Sequence, residues 1–195
     1  MCSWCWGYRP TWEAIQAGLP QDIQVVYLVG GLAPDSDLPM PEDMRMGLQQ
    51  VWKKIARSLD RPFNHDFWRL NTPRRSTYPA CRAVMAADAL AGKGQEMIFA
   101  IQMAYYQQAR NPSDIAVLSD LAVQIGIDGQ QLVAWMLDKD NEKRFQQELG
   151  FAHSLPISGF PSLVLETRGV RYPIALDYLT PQVALDDIAR KRVMN

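Results

Sequence analysis

Cysteine and histidine are scarce in this chain, with three cysteines and two histidines among 195 residues. A structural zinc site takes four ligands, and beyond Cys2 and Cys5 only Cys81, His65 and His153 remain. With no second C-x-x-C and no H-x-x-x-H, the sequence offers no metal centre. The same scarcity excludes a disulfide framework, because a chain of this length builds its core from apolar side chains. An excess of either charge is also missing: 20 basic residues against 21 acidic ones leave a net charge of -1. That balance gives no basic footprint for nucleic acid or for an anionic membrane surface. No apolar run reaches the roughly 20 residues that span a bilayer, and no signal peptide is visible. Disorder is excluded too, since 48% of the residues are hydrophobic, enough for one domain or for a compact core with an inserted subdomain. Partners are expected to be read by shape and apolar contact.

Two of the three cysteines stand together, in Met1-Cys2-Ser3-Trp4-Cys5-Trp6-Gly7, at the front of a predicted helix. Unpaired backbone N–H groups and the macrodipole favour negative charge at a helix N-terminus. The thiolate is the reactive form of cysteine, and this placement lowers a thiol pKa from its ordinary ~8.5. Cys2 is therefore the candidate nucleophile. Cys5, one turn further in, is the candidate for resolving a mixed disulfide on Cys2. Ser3 and Trp4, the intervening pair, are candidate substrate contacts, whereas Trp6 is expected to be buried.

Along the chain, Trp12, Ile15 and Leu19 continue the cysteine-bearing helix to about Gly18. Residues Ile23 to Val29 form a β-branched run closed by Gly30-Gly31, the pattern of a buried strand. From Glu42 to about Gly150 the signals are helical. Met44, Leu48, Val51, Trp52, Ile55 and Leu59 form one stripe, and further helices are expected after Pro79, over 95–109, over 115–125 and over 129–149. A strand at 162–166, a turn at Thr167-Arg168-Gly169 and a returning strand predict a hairpin. A last helix is expected from Thr180, as N-cap with Pro181 at its first position, to about Val193. Strands at both ends and helices between them predict an α/β domain, 1–40 with 151–195, interrupted by a helical insertion over 41–150.

The C-x-x-C at a helix start, the long helical insertion and Gly159-Phe160-Pro161 just before a strand together resemble the DsbA-like branch of the thioredoxin superfamily. The motif Met1–Gly7 and the stretch Thr72-Pro73-Arg74-Arg75-Ser76-Thr77-Tyr78-Pro79-Ala80-Cys81-Arg82 look like its FrnE-type and dithiol-disulfide isomerase members. The resemblance covers essentially the whole chain. It implies a thioredoxin-like fold, with Pro161 as a cis-proline facing Cys2 and Cys5. Phe160 would then offer its backbone to an extended substrate, as in strand addition. It also implies a strand upstream of the redox helix, so that the expectation is a native chain beginning about ten residues earlier.

The chemistry implied is thiol–disulfide exchange on protein or small-thiol disulfides, without a cofactor but with glutathione as a possible thiol partner and with an unidentified redox partner. Cys81, near Arg74, Arg75 and Arg82, is either a small buried hydrophobe or an auxiliary redox candidate with an acidic thiol, and those arginines either line a solvated loop or hold an anionic substrate such as glutathione. Two other classes belong to the same fold: adaptors that present clients to a protease, and glutathione-dependent transferase or isomerase relatives. The latter use serine at the reactive position, which Cys2 counts against. The resemblance implies a cytoplasmic protein, or a periplasmic one if a signal peptide lies upstream.

Overall fold

Cys2 is the last residue before the first helix, with extended backbone (φ -86°, ψ 109°), and α1 then runs over Ser3–Gly18 in the computed structural model, which describes residues 1–194. Two cores meet on this helix. Tyr8 and Ile15 pack with Ile174, Ala184 and Ile188, while Trp6 turns toward Trp52, Phe67, Trp68, Tyr105 and Tyr106. Gly7 lets the next helix, α2 (Glu42–Leu59), approach closely: a Cβ there would lie 2.9 Å from Leu59 and 3.0 Å from Ile55.

The predicted strand over Ile23–Val29 does not form. These residues have no ladder partner among the described residues, and a β-branched run supplies the side chains of a strand but not the neighbour that makes one. Val26 is 68% exposed. Side chains take up backbone at its end and in the loop beyond: the Val29 N–H donates to the Glu148 carboxylate at 2.8 Å, and Thr77 Oγ1 accepts from Ala33 N–H at 2.9 Å.

The helical block follows: α3 (Phe67–Leu70), α4 (Tyr78–Ala91), α5 (Gly94–Tyr106), α6 (Ile115–Gln124), α7 (Gly129–Leu137) and α8 (Lys139–Ser154). The short α3 was not expected. The single helix predicted over 129–149 is two, because the Asp138 carboxylate accepts from the N–H groups of Asp140 and Asn141 and starts α8 as an N-cap. Ala80, Ala83, Ala86 and Ala87 make α4 thin, and Met97, Ile101, Leu118, Leu121 and Leu132 close around it.

The sheet is a two-stranded antiparallel hairpin, β1 (Leu163–Thr167) and β2 (Val170–Ile174), in register from Leu163 opposite Ile174 to Thr167 opposite Val170. Arg168 (φ 51°) and Gly169 (φ 76°) both take the left-handed conformation that a two-residue hairpin loop needs. The last helix, α9 (Pro181–Arg192), has Pro181 in its first turn, but Thr180 makes no capping bond. The Asp177 carboxylate instead fixes the turn that leads into the helix, accepting from Leu179 N–H at 2.8 Å and Thr180 N–H at 2.7 Å. The fold is α/β with helices dominating, and none of its helices among the described residues is long and apolar enough to cross a membrane.

Candidate active site

The start of α1 meets the loop that leads into β1. Cys2 Sγ donates to the carbonyl oxygen of Phe160 at 3.4 Å, and the Phe160–Pro161 peptide is cis. Phe160 fits there because Gly30 has no side chain; a Cβ on Gly30 would stand 2.3 Å from the Phe160 ring. A cleft of about 330 Å³ lies on the Pro161 side, lined by Ile157, Gly159, Phe160, Pro161, Leu163 and Ile174 among others.

All three cysteines are free thiols. The Cys2 thiol is lowered to about 7, first because the Cys5 thiol donates to it; burial opposes this, and the Cys5 N–H, the Met1 amino group and the Trp4 N–H add to it. Cys5 is raised well above the ordinary value, because its proton is shared with Cys2 and because burial disfavours its charged form. The two sulfurs thus divide into an acidic thiol and a proton-holding one. That division lets one sulfur attack at neutral pH while the other waits.

The intervening residues part company. Trp4 is half-buried, with its ring edge-on to Tyr178 at 5.3 Å and Lys54 Nζ 5.7 Å from its centroid. Ser3, expected as a substrate-facing hydroxyl, is instead 6% exposed, and its Oγ accepts from Trp52 Nε1 at 3.0 Å. It faces inward because the first helical turn lies against α2. Trp6 is buried, stacked on Tyr106 at 5.5 Å, with the Arg61 guanidinium 3.9 Å above its ring.

Cys81, on α4, does not have the acidic thiol that its sequence neighbours suggested. Burial pushes it up, and the Gly31 N–H and Arg82 only partly oppose that. Arg82 is engaged elsewhere, paired with Asp35 at 2.8 Å and Glu142 at 2.6 Å. Arg74 pairs with Asp114 and Asp37 and donates to the Ser113 carbonyl, so neither arginine is left free for an anionic substrate. His153 Nε2 lies 2.9 Å from the Gly30 carbonyl and His65 lies against Trp52. Among the described residues no three His, Cys, Asp or Glu side chains are grouped to hold a metal.

Sequence reasoning missed three aromatics around the motif: Trp52, Tyr106 and Tyr178. Tyr178 carries the edge contacts of both Trp4 and Tyr8, and Tyr106 is buried beside the motif, stacked on Trp6. Trp52 is legible as a core position of the α2 stripe, but nothing in local sequence links any of the three to the site, which they reach only through tertiary packing.

Residues 1–180 match the family model described as a DSBA-like thioredoxin domain. Among solved structures, one from Nitrosomonas europaea proposed to be a protein disulfide isomerase superposes with a TM-score of 0.84 at 27% identity, covering 98% of this chain and 94% of that one. The cytosolic disulfide reductase DsbM from Pseudomonas aeruginosa superposes with a TM-score of 0.77 at 23% identity, over 100% of this chain and 96% of its own. That protein has also been solved with glutathione, and the superposition then has a TM-score of 0.76. A curated relative, the ClpXP adapter protein SpxH from Halalkalibacterium halodurans, is 21% identical over 169 residues. The match covers 84% of this chain and 55% of SpxH, so the chain spans about half the length of that relative.

Proposed function

As the chain belongs to the DSBA-like thioredoxin domain family, we propose that it is a thiol–disulfide oxidoreductase in which Cys2 attacks and Cys5 resolves. The Cys2 thiolate attacks a substrate disulfide, one substrate sulfur leaves as a thiolate, and a Cys2–substrate mixed disulfide forms. Cys5 then gives up its proton and attacks the Cys2 sulfur. The second substrate sulfur leaves, a Cys2–Cys5 disulfide remains, and two electrons have passed from enzyme to substrate. Run backward, the same steps oxidise a dithiol. The observation that carries the reading is the position of Cys2 Sγ, between the Cys5 thiol that makes it acidic and the Phe160 carbonyl of the cis peptide.

In this reading Phe160 and Pro161 line the substrate side, the half-buried Trp4 forms its apolar edge, and a small thiol of the glutathione class resets the pair. The fold shared with a cytosolic reductase solved with glutathione supports that choice and a cytoplasmic location. Equilibration of the full chain in glutathione redox buffers, read by alkylation and mass spectrometry, tests the reading. Cys2 and Cys5 should convert together in one two-electron transition while Cys81 stays a thiol. Absence of a Cys2–Cys5 disulfide in every buffer overturns it. The similarity to SpxH favours a second reading, a client-presenting adaptor. A Cys2→Ser/Cys5→Ser variant that kept the cellular role would establish that instead.

A further inference from the structure

We propose that Trp52 is a positioning residue for the attacking thiol: its indole N–H, bonded to Ser3 Oγ, ties the first turn of α1 to the aromatic core of the helical block and holds Cys2 in its reactive geometry. This rests on Cys2 being the nucleophile. The backbone hold on that turn is weak. Its opening hydrogen bond, from Trp6 N–H to the Cys2 carbonyl, is 3.4 Å long, beyond the ordinary range for a backbone bond. The side-chain bond from Trp52 to Ser3 is shorter, at 3.0 Å, and both of its partners are buried. A buried donor left without an acceptor costs about 1–3 kcal/mol, so this bond is not readily given up.

The two ends of the bond differ in stiffness. Trp52 is fully buried and ringed by Phe63, His65, Phe67, Trp68, Tyr105 and Tyr106, with ring centroids 4.8–5.9 Å away. Ser3 lies in a helix terminus, which has no internal partners for its first N–H groups. The bond therefore fixes the turn rather than the tryptophan. What it fixes is the orientation of the Trp4 and Cys5 N–H groups toward the Cys2 sulfur, two of the contacts that favour the thiolate. Cys5, the Met1 amino group, Tyr106 and Tyr178 are the other titratable groups that act on or respond to Cys2. Of these only Tyr106 touches the replaced side chains, through Ser3 and the Trp52 ring, and burial holds its phenol protonated throughout the pH range of the test.

Trp52→Phe keeps an aromatic ring in the core and removes the N–H; Ser3→Ala removes the acceptor. The rate of Cys2 alkylation against pH, followed by mass spectrometry on the full chain, reads the result. In each variant the midpoint should rise from about 7 toward the ordinary ~8.5, with alkylation at pH 6.5 slowed about three- to tenfold. The double variant should move no further than either single one, because both delete the same bond. Unmoved midpoints, or shifts that add in the double variant, overturn the proposal. If Trp52→Phe does not fold, the Ser3→Ala midpoint decides alone. A wild-type Cys2 without an acidic midpoint overturns the function proposed above together with this one, whereas an acidic wild type with unmoved variants overturns only this one.

Discussion

Asp187 shows how much one residue can hold in this molecule. Its side chain is 4% exposed, and its carboxylate accepts from the Ala175 N–H at 2.9 Å, from Lys191 Nζ at 2.7 Å and from Arg190. The Lys191 ammonium above all, with the Ala175 N–H and Arg190, holds its pKa well below the carboxylate range, against the opposing effect of burial. A depressed folded value means that the stabilisation is present above the unfolded value of ~3.9 and is lost as pH falls through the folded one. Asp187→Ala should therefore cost about 1.5–3 kcal/mol at neutral pH, and the gap to wild type should narrow in strong acid. Melting temperatures of both proteins between pH 7 and pH 2 check this, and a gap independent of pH would contradict it. Such residues are illegible in sequence, where Asp187 looks like any helical carboxylate. The place of Cys2 and Cys5 at the start of α1 is legible in residue type and spacing, and the cis peptide before Pro161 was implied by the family resemblance. Ser3 was misjudged because exposure is a tertiary property: α2 covers it.

Among the elements, the helices with a clear apolar stripe were legible to within a few residues, as with α2, whose stripe and acidic first turn are local. The break between α7 and α8 could have been read from Asp138-Lys139-Asp140, where an aspartate precedes a polar helix start. The failed strand at 23–29 had no local warning, since pairing depends on what lies alongside. The loop that follows it bears directly on the site. Gly30 makes room for the Phe160 ring, and the Phe160 carbonyl meets Cys2 Sγ. Gly30→Ala should force that ring aside, at the ~1–3 kcal/mol typical of overpacking, and should slow disulfide exchange by more than its loss of stability explains. Gly30→Ala/Phe160→Ala should regain stability relative to Gly30→Ala, because the added methyl then meets open space. Melting curves and reduction rates of a glutathione mixed disulfide test both, and a Gly30→Ala protein with wild-type stability and rate would sink the argument.

At the scale of the whole molecule, α1 belongs to two cores at once, and this decides how the chain should unfold. Its Trp6 lies in the aromatic cluster of the helical block, while its Tyr8 and Ile15 lie in the core shared with β2 and α9. The second core cannot open without freeing α1, and a freed α1 takes Trp6 off Tyr106 and breaks the Ser3–Trp52 bond. Thr11 Oγ1, donating to the Tyr178 carbonyl, strengthens the hold of that second core on α1, and Arg82 to Asp35 and Val29 N–H to Glu148 tie the helical block to the segment after α1. Contacts shared in this way make partial unfolding cost nearly as much as full unfolding, which is the condition for a cooperative transition. Helix content by far-ultraviolet circular dichroism and the fluorescence of the six tryptophans should therefore give one coincident urea midpoint for the reduced chain. Trp12 reports on the α9 side, Trp52 and Trp68 on the aromatic cluster and Trp135 on the helical core, so the probes cover all three. Two separated midpoints would mean that the hairpin and α9 let go of α1 first, and the redox helix would then be held by the helical block alone.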